Sequence, residues 1–145
     1  MPEPKTPSRA RRRARELCLR GLYRAEVTGD SIPEVIEAYK EDPKIHEEIK
    51  DYGIHLMSLV HTGLEDIDSL LKGALSRWSL ERLAVTDRCV LRMATAEMVY
   101  EMSVPTEVIL DESIEIAKRF GSPKSGKFVN GVLDGVAKTA RNADD

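Results

Sequence analysis

Apolar residues recur along this chain at intervals of three and four, the spacing that gathers side chains on one face of an α-helix. Ala10, Ala14, Leu17, Cys18, Gly21, Leu22 and Ala25 draw one such stripe and predict a helix over residues 8–26, ended by Thr28-Gly29-Asp30. Pro33 opens a short helix to about Tyr39. Asp42-Pro43 reads as a cap with proline at the first helical position, starting a helix through Ile45, Ile49, Tyr52 and Leu56 to about His61. Leu64, Ile67, Leu71, Ala74 and Leu75 predict another over about 64–78. Thr86 is the expected cap of a helix over 87–102 that is apolar nearly all round, the mark of a central element. Pro105 opens the next, to Phe120, with Ile109, Ser113, Ile116, Ala117 and Phe120 facing in. The last covers 125–140, with Val129, Val132, Leu133, Val136 and Ala137 as its buried stripe. No stretch alternates with a period of two. The pattern predicts an all-α fold of about seven helices, a single domain over 9–141 behind a flexible basic arm at 1–8.

Composition narrows the function classes. A chain of 145 residues suits one domain, and 5% aromatic content leaves aliphatic side chains to fill most of its core. No apolar run approaches the roughly 18–20 residues of a membrane span, and two isolated cysteines among apolar neighbours fit a reducing cytoplasm better than a metal site. The net charge of −3 conceals a sorting. Residues 1–24 carry a net +6, residues 117–141 a net +5, and residues 25–116 a net −12. Two basic ends on an acidic body suggest a directed contact with a polyanion.

The basic ends differ in kind. On a helical wheel of the first segment, Arg9, Arg12, Arg13, Arg20 and Tyr23 lie opposite the apolar stripe. Arginine forks read phosphate, and an exposed aromatic can stack on an unpaired base, so this face suits single-stranded RNA. At the other end, "GSPKSGKF" (residues 121–128) imitates a nucleotide-binding loop. Phe128 stands where the magnesium-binding hydroxyl belongs, and an amphipathic helix precedes the loop where a strand is required, which argues against ATP. A helix start with Lys124 and Lys127 still favours an anion. Gly131 and Gly135 leave a bare strip that predicts close packing or a ligand. An enzyme is not expected. Asp111, Glu112 and Glu115 read as capping and solvating an exposed face, and His46, His55 and His61 do not fall at ligand spacing.

Four segments, in order, identify the chain by resemblance as a member of the NusB family: "RRRARELCLRGLY" (11–23), "WSLERLAVTDRCVLRMA" (78–94), "EVILDESIEIAK" (107–118) and "AKRFGSPKSGKFVNGVLD" (117–134). The resemblance spans essentially residues 9–138. It implies two three-helix bundles, about 9–76 and 79–141, sharing a long first helix. It implies binding of the single-stranded boxA element of ribosomal leader RNA, and a heterodimer with NusE that joins the RNA polymerase antitermination complex. RNA contacts would fall to Arg9, Arg11, Arg12, Arg13, Arg15, Tyr23, Lys124, Lys127, Phe128 and Asn130. The NusE side would include Glu81, Arg82 and Asp87. No cofactor is implied, and a homodimer could hide the arginine face. The rival reading is a helical protein-interaction adaptor, or a ribosome-assembly factor without direct RNA readout, whose basic ends only solubilise it.

Overall fold

The computed structural model describes residues 8–77 and 79–141. Trp78, the rest of the arm expected before Ser8, and the frayed end expected after Arg141 lie outside them; Ser8 itself already opens the first helix. Seven α-helices carry the described chain: α1 (Ser8–Thr28), α2 (Ile32–Glu41), α3 (Glu47–Thr62), α4 (Leu64–Ala74), α5 (Val85–Tyr100), α6 (Thr106–Phe120) and α7 (Ser125–Ala140), with a short 3-10 turn at Leu80–Arg82 and no strand among the described residues.

Helix α4 stops at Ala74, short of the end expected near residue 78, and two helix starts also differ from the sequence reading. Asp42 is not the start of α3. Its carboxylate accepts the Lys44 N–H at 2.9 Å, a local turn that competes with helix. Lys50, buried on α3, reaches back to donate to the carbonyls of Lys40 (3.0 Å) and Asp42 (2.9 Å), sealing the end of α2. The start of α2 follows the rules: Ser31 accepts the Glu34 N–H while Glu34 accepts the Ser31 N–H, a reciprocal cap. Thr86 is likewise not a cap. Helix α5 starts two residues earlier, at Val85 behind Ala84, and the Asp87 carboxylate in its first turn complements the N-terminal dipole.

Helices α1, α2 and α3 pack together, and α5, α6 and α7 pack together. Helix α4 lies against α5 and α7 more than against α3. The α1–α3 crossing is tight because of glycine. A Cβ on Gly53 would sit 2.9 Å from the Ala14 carbonyl oxygen. Helix α5 is central as its all-round apolar surface predicts: Cys89, Val90, Leu91, Met93, Ala94, Ala96 and Met98 are buried, and it touches α1, α3, α4, α6 and α7. Both thiols are buried, and burial pushes that of Cys89 up to about 12, which leaves it unreactive.

The end of α5 is closed from the other end of the domain. Its last carbonyls have no partner within the helix. Arg141 donates to the carbonyls of Met98 (3.0 Å) and Glu101 (3.1 Å), and onward to the Val104 carbonyl (2.6 Å) and Thr106 Oγ1 (3.1 Å) in the corner that leads into α6. No described helix is long and apolar enough to cross a membrane.

Candidate nucleic-acid interface

The first helix divides its arginines between two environments. Arg9, Arg12, Arg13 and Arg20 are exposed, and Tyr23 beside them keeps 44% of its surface in water. Arg15, expected among the surface contacts, is instead 3% exposed. Its guanidinium grips Glu97 on α5 with both forks, Nε to Oε1 at 2.9 Å and Nη2 to Oε2 at 2.6 Å. Burial alone would lower the Arg15 pKa; the hydrogen bonds it donates to Glu97 overcome this and raise it. Tyr52 of α3 donates its hydroxyl to the same carboxylate at 2.5 Å, and burial together with the Glu97 charge raises the phenol's pKa. Arg11 is half-buried, its guanidinium 3.6 Å above the Tyr52 ring, a cation–π contact, and its Nε has no acceptor among the described residues. On the wheel, Arg11 and Arg15 fall within about 20° of Leu22, which is the signal that they border the core.

The exposed face is braced by α6. Arg12 donates to Glu112 at 2.7 and 2.8 Å. These bonds hold the Glu112 carboxyl below its ordinary value and raise the Arg12 pKa. Glu112 therefore orients an arginine, where sequence reasoning gave it only an exposed face to solvate. Glu16, in the same row as Arg12, is buried beneath Arg119 (2.9 Å). Phe120 lies between Arg20 and Arg119, at 5.4 and 5.3 Å. With Leu19, Tyr23 and Thr86 it lines a groove of about 260 Å³ that joins the arginine face to the start of α5. Neither Phe120 nor Arg119 was singled out by sequence as a site residue.

The loop after α6 is folded on itself. Ser125 is buried, and its Oγ accepts the Ser122 N–H at 2.9 Å. Lys124, Lys127 and Asn130 are exposed, and Phe128 is half-buried against the core. The groove on which Lys127 and Phe128 border is lined by residues of α7 and of α4 and the chain just after it, not of α1. The bare strip expected at Gly131 and Gly135 is not tightly filled by any described residue: a Cβ on Gly131 would meet none of them within 4 Å, and one on Gly135 only the Ala74 methyl of α4, at an ordinary 3.5 Å.

The third group is an acidic corner. Glu81 and Arg82 stand exposed on the 3-10 turn, while Asp87 is half-buried and its Oδ1 has no hydrogen-bond partner among the described residues. Arg88 holds the turn in place, donating to the carbonyl of Leu83 at 3.1 Å and to Glu26 on α1 at 2.9 Å. Arg92 ties the same Glu26 (3.0 Å) to Asp68 of α4 (2.9 Å). Burial would raise the Glu26 pKa, yet the bonds from Arg88 and Arg92 lower it. His55 pairs with Glu101. No group of His, Cys, Asp or Glu among the described residues could hold a metal ion.

With this geometry in place, the comparisons with known proteins agree on one family. The NusB family profile matches residues 12–138. The transcription antitermination protein NusB of Pseudothermotoga lettingae is 41% identical over 89% of this chain and 91% of the relative. A crystal form of Thermotoga maritima NusB superposes with a TM-score of 0.83 at 39% identity, covering 99% of this chain and 97% of that one. A crystal structure of antitermination factors NusB and NusE in complex with double-stranded RNA contains a chain that superposes at 0.80 with 29% identity, over 90% of this chain and 98% of that chain.

Proposed function

Because the chain belongs to the NusB family of transcription antitermination proteins, we propose that it binds boxA-type single-stranded leader RNA of ribosomal RNA operons together with NusE. In doing so it keeps RNA polymerase elongating past terminators, as a cytoplasmic and non-catalytic factor. One observation carries this reading. Arg9, Arg12, Arg13 and Arg20 share an exposed face of α1 with Tyr23, with Arg12 already oriented by Glu112. Arginine forks bind phosphates and the tyrosine ring can stack on a splayed base, while the acidic corner at Glu81 and Asp87 suits a basic ribosomal protein. The solved relative that carries both NusE and RNA supports the same assignment of partners.

A gel-shift titration with boxA RNA and a scrambled RNA, with and without NusE and at two salt concentrations, tests it. Affinity falls steeply with salt, because each phosphate contact releases counterions. Replacing Arg12 and Arg13 together by alanine weakens RNA binding without unfolding the chain. If that double variant bound boxA RNA as tightly as wild type, the role of α1 would be lost. A wild type that binds NusE but does not distinguish boxA RNA from the scrambled RNA would favour the adaptor reading.

A further inference from the structure

Along the arginine row of α1, the residues one turn apart are Arg12, Glu16 and Arg20, so a carboxylate breaks the row in its middle. Helix α6 closes the break. Arg119 lies over Glu16 and donates to its carboxylate from Nη1 at 2.9 Å. The two partners are unequally covered: the Glu16 side chain is 11% exposed and that of Arg119 63%. The carboxylate is therefore hidden beneath the guanidinium, whose Nε and Nη2 donate to no described residue. The Phe120 ring holds this guanidinium at 5.3 Å and that of Arg20 at 5.4 Å. Arg20 has no ion-pair partner among the described residues. Two guanidinium groups on one ring repel each other, and the single carboxylate beneath them leaves a net positive charge. One turn towards the start of α1, about 6 Å along its axis, Arg12 is held by Glu112 in the same manner.

We propose that Arg119 is a phosphate-binding residue contributed by α6, which covers Glu16 and so joins Arg12 and Arg20 into an unbroken cationic row for an RNA backbone. The proposal rests on the RNA-binding reading above and adds to it a residue to which the resemblance gives no role, set 103 positions from its partner. An uncovered Glu16 would repel phosphate at the centre of the row. Arg119 removes that repulsion, and its remaining N–H donors, oriented by Glu16 and by Phe120, are free to take a phosphate oxygen. Orientation in advance reduces the side-chain entropy lost on binding. A phosphate between Arg119 and Arg20 also relieves their mutual repulsion.

The test is fluorescence anisotropy with labelled boxA-type single-stranded RNA at two salt concentrations, on Arg119→Gln, Glu16→Gln, the two combined, and the Arg12→Ala/Arg13→Ala double variant, with folding checked by circular dichroism. Arg119→Gln is expected to weaken binding about tenfold, because it loses a charged donor and bares Glu16, and to flatten the salt slope by about 0.7. Glu16→Gln, which removes the negative charge under the row, is expected to bind several-fold more tightly. The combined variant is expected to recover part of the affinity and keep the flattened slope, since the carboxylate is gone and the contact is still missing. It leaves no unpaired charge, and it carries the test if Arg119→Gln proves unstable. A combined variant with wild-type affinity and slope would mean that Arg119 only neutralises Glu16, and the proposal is overturned. If the Arg119 variants bind as wild type while the α1 double variant is impaired, the role of Arg119 is refuted and the RNA-binding reading stands. If wild type shows no salt-dependent RNA binding, both fall. If Arg119→Gln impairs capture of NusE but not of RNA, the arginine serves the protein partner and the proposal is overturned.

Discussion

Substituting Glu97 by glutamine removes one charge from the middle of the molecule and keeps its size. The carboxylate is 1% exposed and receives both forks of Arg15 as well as the Tyr52 hydroxyl. Glutamine retains one acceptor oxygen, so the main loss is electrostatic: a guanidinium 3% exposed is left without a counter-charge. Removing one member of such a buried pair costs about 3–5 kcal/mol, and retention of volume and one acceptor puts this case near 3. That is a large part of a typical stability of about 5–15 kcal/mol, and corresponds to a fall in Tm on the order of 10 °C. Urea unfolding followed by far-ultraviolet circular dichroism measures it, with the m-value expected unchanged. Removing both charges, Arg15→Met with Glu97→Gln, should recover more than half of the loss, because an apolar replacement of a buried pair is often neutral. A loss below about 1 kcal/mol in the single variant, or simple additivity in the double, would refute the reasoning. Where the double variant is folded, it should bind RNA with unchanged affinity and salt slope. A reduced slope would return Arg15 to the list of phosphate contacts.

Three further outcomes are expected. Arg141→Ala should lower stability by about 2 kcal/mol in the same assay, since several α5 and corner carbonyls lose a charged donor at once. Gly53→Ala and Gly131→Ala should move in opposite directions: the first is destabilised by overpacking of about 1–3 kcal/mol against the Ala14 carbonyl, partly offset by helix propensity, and the second is stabilised by up to about 1 kcal/mol, since no described residue would meet the added methyl within 4 Å. Glu112, whose folded pKa is depressed by Arg12, contributes stability above the ordinary carboxyl value of 4.5 that is lost as pH falls through its lowered value. The Tm of Glu112→Gln should therefore decline less than that of wild type across that acid range.

The stripes of α1, α5, α6 and α7 were legible because they depend on local periodicity, and the all-α fold follows from them. What escaped the sequence lies in long side chains that reach across the fold. Lys50 decides where α2 ends and Arg88 fixes the turn before α5, yet neither can be seen acting there from local pattern. The candidate site was legible to the same degree. Arg9, Arg12, Arg13 and Tyr23 are exposed as the wheel predicts, while Arg15 joins them only through the family resemblance and is buried against a partner 82 positions away.

The residues that lock this domain are made far apart in time. On a ribosome, Arg15 emerges 82 residues before the carboxylate that neutralises it, and α5 must then wait a further 40 residues, from Glu101 to Arg141, for the guanidinium that caps its end. Domains generally complete as units once their parts are available, so here the nascent chain holds a half-finished α1 with a buried-to-be arginine still in water until almost the entire domain has left the exit tunnel. The arginine face of α1 is thus translated among the first residues and reaches its final rigid form among the last.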